Sequence, residues 1–258
     1  MNGMAGKRFV FVEGNIGVGK TTVMQGLKRM YDADPRVRVV QEPVDKWLAH
    51  GFLQDMYAKR VDKGCFQLMV LMSLVGELVD AARDDAANVI VMERSIWTNY
   101  HVFAKSCVRM VHVLPMRMIW MTLFTTIFSY GFADALTALF AIATIAMSFS
   151  RAHAKWKLHL ARRSLDMYHF SWTYVQNVFP DDMDVSFVLL TLDHHAVLER
   201  MRRRNRESES AIDVDYLCLL DQLHMEWASS TTPITFVDAS ENTEKVLEKV
   251  VAVVEAKL

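Results

Sequence analysis

The chain has 258 residues, with 29 lysines and arginines against 30 aspartates and glutamates and a formal net charge of −1. That balance creates no global field to gather nucleic acid or an anionic membrane surface, so nucleic acid is excluded as an expected partner. Cys65, Cys107 and Cys218 are scattered, with no C-x-x-C pair. This argues for a reducing compartment and against a disulfide frame or a zinc site. The length suits one α/β domain or two small ones.

The first element is the apolar run Arg8 to Glu13, short enough for a buried strand. Gly14-Asn15-Ile16-Gly17-Val18-Gly19-Lys20-Thr21 follows and fits G-x-x-x-x-G-K-[ST] in full, and the residues from Thr22 to Met30 read as a helix. That strand–loop–helix context gives the motif its meaning. Glycines let the backbone turn its N–H groups inward, and the helix N-terminus adds partial positive charge. Lys20 can reach the β- and γ-phosphates of a bound triphosphate, and the Thr21 hydroxyl can ligate Mg²⁺. Residues Gly14 through Thr22 therefore predict a nucleoside triphosphate site.

Four further strands are expected at 37–41, 89–92, 185–192 and 234–237, each followed by polar residues and helical periodicity. This alternation predicts a five-stranded parallel sheet flanked by helices. Ligands of such sheets gather beyond the carboxyl ends of the strands. Those ends carry Glu13-Gly14, Glu42-Pro43, Glu93-Arg94-Ser95 and Asp193. Pro43 biases Glu42 toward an extended conformation, which places a carboxylate where it can take a proton from an attacking hydroxyl. Trp47 reads either as core or as a ring to stack on a planar ligand. After a helix expected at 194–201 come Arg200, Arg202, Arg203, Arg204 and Arg206, five arginines in seven residues. Next to a phosphate loop, such a run predicts a lid that closes on ATP. A closing helix spans 244–258, with Leu247, Val250, Val251 and Val254 on one face.

Residues 119–149 break the pattern, with Asp134 as their single charge. By composition they pass for a membrane span. Strands of one sheet flank the stretch on both sides, so a single crossing is incompatible with the fold. Membrane contact by 119–149 is left as a re-entrant hairpin.

Taken in order, Glu13 to Thr21, Glu42-Pro43-Val44-Asp45-Lys46-Trp47, Glu93-Arg94-Ser95 and the arginine lid resemble the deoxyribonucleoside kinase family. The resemblance covers 8 to about 106 and about 165 to 230. It implies an α/β P-loop kinase fold with an arginine-rich lid, and transfer of the ATP γ-phosphoryl group to the 5′-hydroxyl of a deoxyribonucleoside with Mg²⁺. It further implies Glu42 as general base and Arg94 beside the hydroxyl, with Thr21 and Glu93 holding the metal. Arg200, Arg204 and Arg206 match lid arginines that bind ATP. Trp47, Leu53, Phe66 and Phe103 match the walls of the base pocket, and Gln67 the reader of the base edge. Tyr57 and Glu209 match the pair on the sugar 3′-hydroxyl. Members favouring deoxycytidine and purines have a charged aspartate–arginine pair where this chain has Asn99 and Leu74, so pyrimidine or broad specificity is expected. Family members often form homodimers. A cytoplasmic location is expected, with the mitochondrion as second choice. The alternatives are a thymidylate-type nucleoside-monophosphate kinase and a non-catalytic kinase-like accessory subunit. The resemblance lapses between about 108 and 163, where one domain spanning 1–258 is interrupted by an apolar insertion. A membrane hairpin and a translated intron are favoured there over a hydrophobic flap.

Overall fold

The computed structural model describes residues 4, 6–58, 60–109, 156, 158–177, 179, 182–205, 209, 212–231 and 233–258. Most of the expected apolar insertion (110–155 and 157) and the membrane contact at 119–149 lie outside the described residues, as does Arg206.

Five strands form one parallel sheet in the order β2-β3-β1-β4-β5. They are β1 (Arg8–Gly14), β2 (Val37–Val40), β3 (Val89–Glu93), β4 (Asp184–Thr191) and β5 (Ile234–Asp238). Alternation along β1 explains why the sheet needs cover on both faces. Phe9 and Phe11 point into one core cluster and Val10 and Val12 into the other, all four at most 1% exposed. On the first face lie α4 (Lys63–Ala82), the short helix α5 (Ile96–Thr98) with a π-helical turn (Asn99–Ala104), α6 (158–176) and α8 (Val214–Ser229). The second face is covered by α1 (Lys20–Met30) and α9 (Thr243–Glu255). In α9 the fully buried line is Val246, Val250 and Val254, while Leu247 and Val251 pack at its margin. The four residues expected on the apolar face all pack in or against this core, and Val246 joins them.

By length and composition α4 is apolar enough to cross a membrane. It is a core helix, burying Phe66, Val70, Leu71, Leu74 and Leu78 against the sheet. Asp62 caps its N-terminus, accepting from the backbone N–H of Gly64 and Cys65. A Cβ on Gly64 would stand 2.4 Å from Cβ of Ser164 on α6. The glycine therefore permits the close approach of these two helices.

The chain leaves β1 toward β2 and leaves β4 toward β5, on the other side of the sheet. Ligand crevices form where the connections diverge in this way, at the carboxyl ends of the central strands. The phosphate loop occupies that point.

Candidate active site

Three glycines give the loop its shape. Gly14, Gly17 and Gly19 have φ of 136°, 78° and 117°, a region that L side chains rarely enter. A Cβ on Gly14 would also lie 2.6 Å from the backbone oxygen of Leu190 on the neighbouring strand. Asn15 anchors the loop from the side. Its Nδ2 donates to the Leu217 carbonyl at 2.9 Å and to Asp221 Oδ1 at 2.6 Å, tying the loop to α8. Its Oδ1 accepts from the Ile16 N–H.

Lys20, at the start of α1, is buried and donates from Nζ to the carbonyls of Gly14 and Asn15, each at 2.9 Å. Burial pushes its ammonium down to about 8, the charge of Arg94 acts the same way, and Glu42, Glu93 and Glu13 pull it back up. A triphosphate needs the charged form, so affinity for ATP should fall about tenfold per pH unit above about pH 8. Titration of the free enzyme with ATP at rising pH checks this; an affinity that stays flat speaks against charge neutralisation by Lys20. The sign for folding is separate. The folded pKa lies below the ordinary value of 10.5, so the Lys20 contribution to stability rises as pH climbs from about 8 toward that value.

The ends of β2 and β3 meet opposite the loop. Arg94 Nε lies 2.8 Å from Glu42 Oε1, with both side chains about nine-tenths buried. The contact is a close ion pair without an aligned hydrogen bond, since the Nε–H has no acceptor along its axis. Arg94 has a left-handed backbone, φ 67°, and its guanidinium carbon sits 3.7 Å above the centre of the Phe103 ring. Burial pushes the Glu42 carboxyl above its usual range, while Arg94 and Lys20 hold it down. Glu93, the residue before Arg94, accepts from Thr21 Oγ1 at 2.7 Å. One hydroxyl and one carboxylate are hard oxygen donors that suit Mg²⁺, which takes few protein ligands and fills its shell with phosphate oxygens and water. Among the described residues no group of three or more His, Cys, Asp or Glu is placed to hold a metal ion.

Glu13 has a role that its place at a strand end does not reveal. It is 1% exposed; its Oε1 accepts from the Ser95 N–H at 2.8 Å and its Oε2 from Thr98 Oγ1 at 2.7 Å. It thereby clamps the Glu-Arg-Ser turn to β1. His224 on α8 was also not anticipated as a site neighbour. Its ring packs edge-on to Phe103, its Nδ1 meets the Leu220 carbonyl, and burial pushes it down to about 3, so it is neutral.

A second group of expected residues converges beyond Arg94. Trp47 and Phe66 are buried and meet edge to face at 6.1 Å, with the Trp47 indole N–H donating to Ser73 Oγ at 3.1 Å. Leu53 packs half-buried against the same cluster. Gln67 Oε1 accepts from Asn99 Nδ2 at 2.8 Å. Leu74 and Asn99 are both buried and uncharged, so these two positions hold no charged pair. Tyr57 is half-buried beside the lid cluster of Val197, Met201, Ile212 and Leu217. Burial raises its hydroxyl pKa, and the charges of Tyr216 and Glu209 add to that. Glu209 thus lies close enough for its charge to act on the Tyr57 hydroxyl.

Arg200, Arg202, Arg203 and Arg204 lie on α7 (His194–Arg204), which runs three residues farther than expected and ends at a left-handed Asn205. Arg200 donates to the Val18 carbonyl at 3.0 Å and to the Ala239 carbonyl at 2.8 Å, bridging the phosphate loop and the turn after β5. Arg204 is paired with Glu209 at 2.5 Å. With Gly17, Gly19, Thr22 and Glu241 these two arginines line a cavity of about 350 Å³ against the loop.

The model of the deoxynucleoside kinase family matches residues 10–125 and 149–258, which leaves 126–148 between the two matched stretches. The chain is 27% identical over 242 residues to the thymidine kinase of Ictalurid herpesvirus 1, covering 94% of this chain and 83% of that protein. It is 24% identical over 255 residues to human "Thymidine kinase 2, mitochondrial", covering 94% of this chain and 74% of that one.

Proposed function

This chain belongs to the deoxynucleoside kinase family and is an ATP-dependent nucleoside kinase, and on that premise we propose that it phosphorylates the 5′-hydroxyl of pyrimidine deoxyribonucleosides, or of a broader set, in nucleotide salvage. The observation that carries the reading is the buried Glu42–Arg94 pair facing Lys20 and the phosphate loop. In this reading Glu42 supplies the proton acceptor, and Arg94 and Lys20 supply cationic charge around the reacting alcohol. The neutral Gln67–Asn99 pair supports a pyrimidine base.

In this reading the roles divide simply. Glu42 takes the 5′-hydroxyl proton as the oxygen attacks in line. Lys20, Arg94 and the lid residues Arg200, Arg204 and Arg206 stabilise charge spreading over the transferring phosphoryl group. Trp47, Leu53, Phe66 and Phe103 wall the base, Gln67 reads its edge with Asn99 bonded behind it, and Tyr57 and Glu209 hold the sugar. Mg²⁺, held through Thr21 and Glu93, would neutralise the triphosphate when bound with it.

A homodimer is the assembly we favour. Met167, Phe170 and Tyr174 are each more than half exposed along α6 and form an apolar face suited to a second copy. We place the protein in the cytoplasm, with the mitochondrion as second choice, and keep 1–258 as one kinase domain with an insertion at about 108–163.

The test is a phosphotransfer assay on the purified full chain with Mg²⁺ and ATP. Thymidine and deoxycytidine should yield their 5′-monophosphates. Turnover of thymidylate alone overturns the acceptor assignment, and a strict preference for deoxyguanosine overturns the specificity.

A further inference from the structure

We propose that Tyr168 and Asn99 are positioning residues that hold the Gln67 carboxamide in one orientation and so bias the enzyme toward one of the two pyrimidine bases. The inference rests on the reading of Gln67 as the residue that pairs with the base edge. It concerns a residue, Tyr168, that no motif brings forward.

The three side chains form a buried relay. Tyr168 and Asn99 are fully buried and Gln67 is 7% exposed. The Tyr168 hydroxyl donates to Asn99 Oδ1, and Asn99 Nδ2 donates to Gln67 Oε1 at 2.8 Å. Tyr168 is held in turn by rings: it stacks on Tyr100 at 5.7 Å, and Tyr100 stacks on Trp172 at 4.9 Å with a 1° tilt. Each contact dictates the sense of the next. A phenolic O–H that donates to Asn99 turns the Asn99 amide N–H₂ toward Gln67. That turns Gln67 Oε1 toward Asn99 and leaves the Nε2 donors for another partner. Turning Gln67 over would set its N–H₂ against that of Asn99, two donors face to face. Asn99 would then have to turn as well, and the Tyr168 proton would need a new acceptor inside a fully buried site.

The chemistry of the two bases makes that sense consequential. At positions 3 and 4 thymine presents a donor and then an acceptor, whereas cytosine presents an acceptor and then a donor. One carboxamide can pair with either edge, but only by turning over between them. A relay that resists the turn therefore favours one base over the other. Without the relay, Gln67 adapts to both.

The experiment compares kcat/KM for thymidine and deoxycytidine in the wild-type enzyme, Tyr168→Phe, Asn99→Ala, the double variant and Gln67→Ala. The wild type should prefer one base. Tyr168→Phe should move the ratio about tenfold toward parity while the KM for ATP is unchanged. Asn99→Ala gives the same test through the next link, and the double variant should match the single ones because all act through one chain. A wild type indifferent to the two bases, or variants that lower both activities equally, overturns the relay. If Gln67→Ala leaves nucleoside KM values unchanged, the reading of Gln67 fails instead, which separates the two failures.

Discussion

Glu42→Gln should lower kcat for nucleoside phosphorylation about a thousandfold, with nucleoside KM nearly unchanged. The substitution keeps shape and polarity and removes only the ability to accept a proton, so it isolates the chemical step from binding. The pH profile gives an independent signature. Burial, opposed by Arg94 and Lys20, leaves the Glu42 carboxyl above its ordinary value of 4.5. The wild-type rate should therefore fall on the acid side through a pKa higher than that of an exposed glutamate. That acid limb should vanish in Glu42→Gln, because the residual rate no longer depends on the group. The effect on folding has the opposite tendency. A carboxyl that holds its proton more tightly in the folded state adds stability at low pH and loses it as pH rises through the folded pKa. At neutral pH, however, Glu42→Gln leaves the buried Arg94 guanidinium without its nearest anion, so the variant should unfold at a lower temperature than wild type. A variant that keeps wild-type kcat removes Glu42 from the role of general base.

The legibility of this site in the sequence follows from the range of the interactions that make it. The strands could be read because a short continuous apolar run is a local signal, and β1 is buried without a break from Phe9 to Val12. Glu42 could be read because Pro43 constrains it directly. The loop lysine and threonine stand in a motif whose spacing is itself the mechanism. Glu13 was visible as a carboxylate at a strand end, but its grip on Ser95 and Thr98 depends on the pairing of β1 with β3. The tether from Asn15 to Asp221 spans 206 positions of sequence. Tyr168 is the extreme case. It stands on α6, beyond the apolar stretch, as one aromatic among several, and only the packing of α6 against the turn that carries Asn99 gives it a partner 69 positions away. Local periodicity carries no information about such a contact. The same packing sets Asn99 beside Gln67 and Phe103 beside Arg94.

Arg94 combines strain, burial and charge at one position, and three substitutions should separate them. Arg94→Ala should lower kcat/KM about a thousandfold through loss of charge stabilisation. It should also cost about 3–5 kcal/mol of stability, because Glu42 is left buried without its nearest cation. Any remaining activity should show its acid limb at higher pH than wild type, since Arg94 is the strongest charge holding the Glu42 carboxyl down. Arg94→Gly should be as inactive as Arg94→Ala but more stable by about 1 kcal/mol, because glycine occupies φ 67° without the penalty an L side chain carries there. The difference between these two variants measures the backbone strain alone. Arg94→Lys keeps a charge but loses the planar fork that both reaches Glu42 and lies flat on Phe103. It should recover part of the stability while kcat remains about a hundredfold down. Stability by denaturant unfolding and kcat/KM across pH should therefore rank the three variants differently. If Arg94→Lys matched wild type in rate, the guanidinium would be a structural counter-ion for Glu42 and not a participant beside the reacting oxygen.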